Sequence, residues 1–235
     1  MSWAQQPLLG FDTETTGVNP TSDRIVTAAL VYDDGAGGRQ IRTWLLNPGV
    51  EIPEAAANVH GITTERAQRE GQAPAPALAE IAGLLRQAFA AGTPVVAYNA
   101  AFDLTILQAE LTRHQLPPLG SAADIRPVID PLVLDRELDR YRRGKRRLGD
   151  LVEFYGQQAA ADLHDAEVDV LATLDVLREI ARRYQQAAQM ELSQLHTWQV
   201  AAHQKWARGF NQWRESKGLT GPGASDHWPI DPSVL

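Results

Sequence analysis

The stretch Leu8-Leu9-Gly10-Phe11-Asp12-Thr13-Glu14-Thr15-Thr16-Gly17 places two carboxylates two positions apart on an apolar segment. Residues 8–13 read as a strand. Successive strand side chains point to opposite faces, so Asp12 and Glu14 emerge on the same side, within reach of one cation. Far downstream, Asp103, His164 and Asp169 stand in local contexts suited to the same site.

Outward from that strand the chain alternates in character. Residues 24–32 and 40–46 are rich in β-branched and aromatic side chains and flank the turn cluster Asp33-Asp34-Gly35-Ala36-Gly37-Gly38. With 8–13 they predict an antiparallel meander. Residues 75–90 and 102–114 have helical periodicity around a short apolar strand at 94–98, and 148–155 and 165–184 add helices. The result is an α/β fold over residues 1–184, a mixed sheet with helices packed on it. No internal repeat or low-complexity segment interrupts it.

Composition bounds the function. The chain has 235 residues, 44% of them hydrophobic and 22% charged, enough for one substantial core. No apolar run approaches the ~18 residues needed to span a bilayer, and Met1-Ser2-Trp3-Ala4-Gln5-Gln6-Pro7 lacks a basic region leading into an apolar signal stretch. Cysteine is absent, which excludes disulfides and thiolate zinc sites, so any metal is held by oxygen or imidazole. A soluble protein in a reducing, cytoplasmic setting is expected. The net charge of -7 argues against a nucleic-acid partner. Its distribution argues the other way: Arg136, Arg140, Arg142, Arg143, Lys145, Arg146 and Arg147 face only Glu137 and Asp139 within one short segment. Alone, such a run is a solvated loop. Beside a carboxylate site it is suited to holding a phosphate backbone.

The downstream acids break apolar patterns. Asp169 shares a helical stripe with Ala172, Val176 and Ile180, and Asp103 has Ile106 and Leu107 one turn along its side. A buried carboxylate must be neutralised by a cation, a hydrogen-bond network or a proton. For either acid singly, a helix cap or a salt bridge to Arg would serve. Four such acids together favour a shared cation.

Three segments carry a family resemblance: Phe11 through Gly17, Tyr98-Asn99-Ala100-Ala101-Phe102-Asp103, and His164-Asp165-Ala166-Glu167-Val168-Asp169. They resemble, in order and separation, the three motifs of the DnaQ-like, or DEDD, 3′-to-5′ exonucleases. A fourth stretch, from Asn47-Pro48-Gly49 through Ile52-Pro53 to Val59-His60-Gly61-Ile62-Thr63, is similar to a loop of the epsilon-type proofreading members. The third motif has His five residues before its last Asp, as in the DEDDh branch, where the DEDDy branch has Tyr four before it. Five residues turn a helix through about 140°, so His164 is expected in the lead-in to the helix rather than on the face of Asp169.

The resemblance implies an RNase H-like mixed β-sheet, an antiparallel meander plus parallel strands, flanked by helices. It implies hydrolysis of the 3′-terminal phosphodiester with release of a nucleoside 5′-monophosphate, two Mg2+ ions held by Asp12, Glu14, Asp103 and Asp169 (Mn2+ substituting), and His164 as general base. By the same pattern Thr13, Thr15, Thr16 and the main chain near Gly17 line the terminal nucleotide. His60 and Ile62 form an apolar wedge at the bases, Asn99 and Phe102 border the pocket, and the basic segment, including Arg143 and Arg146, holds the strand backbone. The expected partner is a DNA 3′ end, single-stranded or frayed. RNA trimming is the alternative substrate, and a non-catalytic polymerase-associated subunit the alternative class.

Residues 185–217 differ in kind. Leu192, Leu195, Trp198, Ala202, Trp206, Phe210 and Trp213 fall on one helical face with a heavy aromatic load. Such a helix either folds back on the catalytic domain or, over 192–213, meets a protein partner or a second copy. The Gly- and Pro-rich tail 218–235 is expected to be extended, with Trp228-Pro229-Ile230 as a tether.

Overall fold

The computed structural model describes residues 2–157 and 165–235. Strand β1 (Leu8–Thr15) pairs antiparallel with β2 (Ile25–Asp33), which pairs antiparallel with β3 (Arg39–Leu45). Helices α1 (Glu54–His60), α2 (Thr64–Glu70) and α3 (Pro74–Ala91) lead to β4 (Val95–Val96), and α4 (Ala100–Arg113) leads to β5 (Val128–Ile129). These two strands run parallel on the other side of β1, giving the order β3-β2-β1-β4-β5. Then follow α5 (Pro131–Leu138), α6 (Leu148–Phe154), α7 (Ala166–Arg183), the single turn α8 (Gln185–Ala188) and α9 (Leu192–Ser216). The mixed sheet, meander plus parallel strands, is the one expected from the sequence.

Several elements depart from the sequence reading for local reasons. The strand expected at 94–98 shortens to two residues because Asn99 takes a left-handed conformation (φ 65°) that turns the chain into α4. Strand β5 is bracketed by Pro127 and Pro131, neither of which donates to a ladder. The stretch read as a loop at 47–63 contains α1, which stops at Gly61 with φ 74°, and α2 starts on the Thr63 hydroxyl, which accepts from the Arg66 N–H at 3.2 Å.

The two faces of β1 are covered differently. Leu9 and Phe11 join Leu30 against Leu78 and Leu85 of α3 and Leu104 and Leu107 of α4. Leu8 joins Val31 against Val170, Leu174 and Leu177 of α7. Gly10 decides how close α7 comes: a Cβ there would lie 2.4 Å from Val170 Cγ1. Arg178 of α7 donates to Asp33 at the end of β2, and Arg39 bridges Asp33 (3.0 Å) and Asp175, which fixes the helix lengthwise.

The C-terminal region folds back on this body. Leu195, Gln199, Ala202, His203 and Ala207 are the buried residues of α9. The two polar ones have partners: His203 Nε2 lies 3.0 Å from the Ser225 carbonyl, and Gln199, helped by the half-buried His196, meets β5. The Asp130 N–H donates to Gln199 Oε1 (2.8 Å), Gln199 Nε2 donates to the Val128 carbonyl (3.0 Å), and the Val128 N–H donates to His196 Nδ1 (3.2 Å). The outer edge of β5 is thus closed by side chains instead of a sixth strand. Trp228 and Ile230 are buried as the tether, and the Asp231 N–H donates to Thr105 of α4. Among the described residues, no helix is long and apolar enough to cross a membrane.

Candidate active site

Asp12 and Glu14 leave β1 on the α7 side, and Asp169 comes down to them from the first turn of α7. One carboxylate oxygen from each lies within 4.8 Å of the others. The cause is local on both sides. The strand period of two puts both acids on the face that Gly10 leaves open. Asp165 caps α7, accepting from the Glu167 N–H at 2.9 Å, and so starts the helix where its first turn reaches the strand.

Asp103 arrives from the opposite layer. It is buried on α4 and accepts from the Thr13 N–H (3.1 Å) and the Thr13 hydroxyl (2.7 Å). Thr13 points to the face opposite Asp12, so this pair clamps α4 onto the strand beside the acid cluster. Its charge is still felt there. Burial raises the Asp12 pKa well above the carboxylate range, and the charges of Asp103, Asp169, Glu14 and Asp165 raise it further. Burial likewise pushes Glu14 to about 8, reinforced by Asp169, Asp103 and Asp165. Asp103 is pushed to about 7 by burial, against the lowering effect of the Thr13 hydrogen bonds.

Like charges gathered in this way require protons or a cation. The donor set is all oxygen, which suits a hard divalent ion such as magnesium or manganese. Asp12, Glu14 and Asp169 therefore fit a metal, with Asp103 beside them.

A cavity of about 680 Å³ opens next to the acids, lined by Thr13, Thr15, Thr16, Gly17, His60, Asn99 and Phe102 together with Glu14. Most residues assigned to substrate from the sequence are thus brought to one place. The threonine hydroxyls already have work within the fold: Thr13 on Asp103, Thr15 donating to the Gly17 carbonyl (2.6 Å), and Thr16 accepting from the Arg24 N–H (3.0 Å). A Cβ at Gly17 would sit 2.5 Å from Asp23 Oδ2, so a larger residue there would displace the Asp23 carboxylate. Burial lowers the His60 pKa.

Other assignments lie elsewhere. Ile62 is buried with Val26, Ile52 and Ala67 and lines a separate cavity of about 210 Å³ with His60, Asp165 and Glu167. Arg146 donates to the fully buried Asp135 and to its carbonyl, and Arg143 is exposed on the same loop. His164 lies outside the described residues.

The structure also shows residues that the sequence reading passed over. Val18, Pro53, Ala55, Ala56 and Val59 complete the wall of the cavity; Pro53 and Val59 stand in the stretch singled out above, where neither was given a role. Asp130 is 1% exposed and accepts from the Asn99 N–H (3.1 Å), the Ala100 N–H (3.0 Å) and the Leu132 N–H (2.9 Å). It holds the N-terminus of α4 and hence Asp103. The signal for it was Asp130-Pro131, an N-cap followed by Pro at the first helical position.

Comparison with known proteins agrees with this geometry. Residues 9–177 match the Exonuclease family RNase_T. The chain is 41% identical over 129 residues to a DNA polymerase III subunit epsilon-like protein of Rhodobacter capsulatus, covering 53% of this chain and 16% of that protein. It is 34% identical over 167 residues to a PolC-type DNA polymerase III of Streptococcus thermophilus, covering 69% of this chain and 10% of that one. The chain thus spans a small part of the length of these relatives. Among solved structures, exonuclease I of E. coli in complex with a dA16 oligonucleotide superposes with a TM-score of 0.65 at 21% identity, over 85% of this chain and 44% of that one. That likeness is one of fold, the mixed sheet flanked by helices described above.

Proposed function

Because the chain belongs to the Exonuclease family RNase_T, we propose that it removes nucleoside 5′-monophosphates one at a time from the 3′ end of DNA. The observation that carries this reading is the meeting of Asp12, Glu14 and Asp169 within 4.8 Å at the mouth of the threonine-lined cavity. Two Mg2+ ions, replaceable by Mn2+, would be held by these three acids and Asp103; when bound they neutralise the phosphodiester and the charge that develops on the entering and leaving oxygens.

The protein's own groups supply the rest. Thr13 fixes Asp103, and Asp130 fixes the start of α4, so the fourth carboxylate is presented without rotamer freedom. The 680 Å³ cavity between the β1 end and α1 takes the terminal nucleotide, with Val59, His60 and Phe102 offering surface to its base. His164 takes the proton from the attacking water, which an imidazole with an unperturbed pKa near ~6.5 does around neutral pH. DNA is favoured because the relatives are named as parts of DNA polymerase III and the E. coli enzyme was solved with a deoxyoligonucleotide.

The test is digestion of 5′-labelled DNA and RNA of equal sequence with magnesium, manganese or chelator, alongside Asp12→Ala and His164→Ala. Stepwise shortening from the 3′ end of DNA that requires metal and Asp12, and falls steeply with His164→Ala, is expected. Faster loss of the RNA would move the substrate class to RNA. Absence of shortening of either strand would sink the catalytic reading in favour of a binding subunit.

A further inference from the structure

A second cavity, of about 470 Å³, lies between α5 and the C-terminal half of α9, away from the acids. Its α9 wall is a run of rings. Trp206 stacks on Phe210 with centroids 5.5 Å apart and 17° between planes, and Phe210 lies 5.8 Å from Trp213. Trp213 is 50% exposed. Its α5 wall is cationic: Arg136 lies over the Trp206 ring, 3.7 Å from its centroid, and Arg140 and Arg146 line the same space. Lys205 closes it from α9, paired with Glu137 at 2.8 Å.

The charges do not cancel within this wall. Arg146 is spent on the buried Asp135, and Glu137 serves both Lys205 and, at 3.5 Å, Arg140. Arg136 makes no ion pair within 4.0 Å among the described residues although it is half-buried, and burial lowers its pKa against the more distant attraction of Asp130 and Asp135. A guanidinium that gives up water with no carboxylate in contact, beside the exposed ring of Trp213, is matched by a ligand that brings both phosphates and rings.

A short chain of residues links this cavity to the first site. Asn99 lines the catalytic cavity, and the hydroxyl of its neighbour Tyr98 donates to the Arg146 carbonyl (2.6 Å), whose side chain lines the second. The exposed Arg143, Lys145 and Arg147 lie on the intervening loop.

We propose that the ring-lined and Arg-lined cavity between α5 and α9 is a second binding site for single-stranded nucleic acid, which holds the strand several nucleotides away from the carboxylate cluster. Bases stack on the exposed Trp213 at the end of the ring run, and phosphates meet Arg136, Arg140 and Lys205. The site deepens the exonuclease reading, and rests on it only in taking the strand as the ligand whose end is cut.

The test uses the full chain carrying Asp12→Asn, so that strands survive, with and without Trp213→Ala or Lys205→Glu, both at exposed positions. Binding of 5′-labelled oligothymidylate of about four and about sixteen nucleotides is followed by anisotropy over a salt series. Each variant is expected to weaken the long strand by about tenfold and leave the short one unchanged, and Lys205→Glu is expected to lower the salt slope by about 0.7. In the Asp12 background, both variants should hydrolyse the p-nitrophenyl ester of thymidine 5′-monophosphate at the parental rate. Parental affinity for the long strand in both variants overturns the proposal, as does equal weakening of both strands. Parental strand binding combined with lost binding of an acidic, tryptophan-containing peptide assigns the surface to a protein partner instead. If the parent fails to hydrolyse the ester while the length-dependent loss persists, the exonuclease reading falls and the strand site stands.

Discussion

Gly10→Ala tests the packing that brings the acids together. The added methyl would lie 2.4 Å from Val170 Cγ1 and 3.2 Å from Leu174 Cδ1, where carbon pairs prefer about 3.5–4.0 Å. Val170 is buried and follows Asp169 directly, so the gap of about 1 Å is recovered only by lifting the start of α7 or by forcing Val170 out of its rotamer. Overpacking of this kind costs about 1–3 kcal/mol, which for a chain of this size lowers Tm by roughly 2–12 °C. Activity is expected to fall further than stability. Moving Asp169 by about 1 Å from Asp12 and Glu14 costs on the order of 10²-fold in hydrolysis. Melting in chelator and initial rates with magnesium separate the two effects. Val170→Ala removes the clashing carbon, so the double variant should recover much of the lost rate despite its own cavity, and the interaction term of the double-mutant cycle should be favourable. Parental Tm and rate in Gly10→Ala, or no recovery in the double variant, would refute the account.

Two further outcomes follow from the electrostatics and from Asp130. In chelator, Glu14 keeps its proton to about pH 8 in the folded protein, whereas in the unfolded chain it releases it near ~4.3. Folding therefore takes up protons across that window, and metal-free stability is full below it and falls as pH rises through it. Melting temperatures in chelator should decline from about pH 4.5 to about pH 8; excess magnesium should remove the decline, and Asp12→Asn should lessen it while abolishing hydrolysis. A flat metal-free profile would contradict the crowding of the acids. For Asp130→Ala, the buried Ala100, Leu132 and Trp228 N–H groups lose their acceptor, along with the N–H of the exposed Asn99, a loss of at least about 3 kcal/mol at about 1–3 per buried orphan. Asp130→Asn should retain part of it; urea denaturation showing no loss in Asp130→Ala would remove Asp130 from the framework of the site.

The acid cluster was legible because its residues violate the patterns around them. Asp12 and Glu14 share a strand face by period, and Asp103 and Asp169 stand on helix faces that should be apolar, so each advertised a partner before any partner was visible. The meander was equally clear, since β2 and β3 are long and separated by a glycine-rich turn. Strands β4 and β5 were harder. The apolar run at 94–98 revealed β4 but overstated its length, whereas β5, two residues set between Pro127 and Pro131, carries no periodicity, and its placement comes from α4, which crosses between the two strands. The wall of the cavity at Pro53, Ala55 and Val59 was hidden for a different reason: α1 is a short helix of small residues whose shape, rather than its chemistry, makes the surface.

The C-terminal helix shows where hydrophobic patterning fails. Counting apolar residues centres the stripe on the tryptophans, yet the structure buries Gln199 and His203 and leaves Trp213 half in solvent. The reason is that β5 offers an open edge, and an edge asks for hydrogen bonds, which a glutamine amide supplies and a tryptophan face does not. Once Gln199 is committed to Val128 and Asp130, the helix is held in the rotation that turns Trp206, Phe210 and Trp213 toward α5. Asp130 then joins both halves of the molecule. Its N–H meets α9, its carboxylate receives Trp228 from the tail at 3.3 Å, and the same carboxylate holds the N-terminus of the helix that presents Asp103. The region beyond residue 184 is therefore part of the support of the acid cluster, and the rotation that completes the sheet edge is the same one that lines the second cavity with rings.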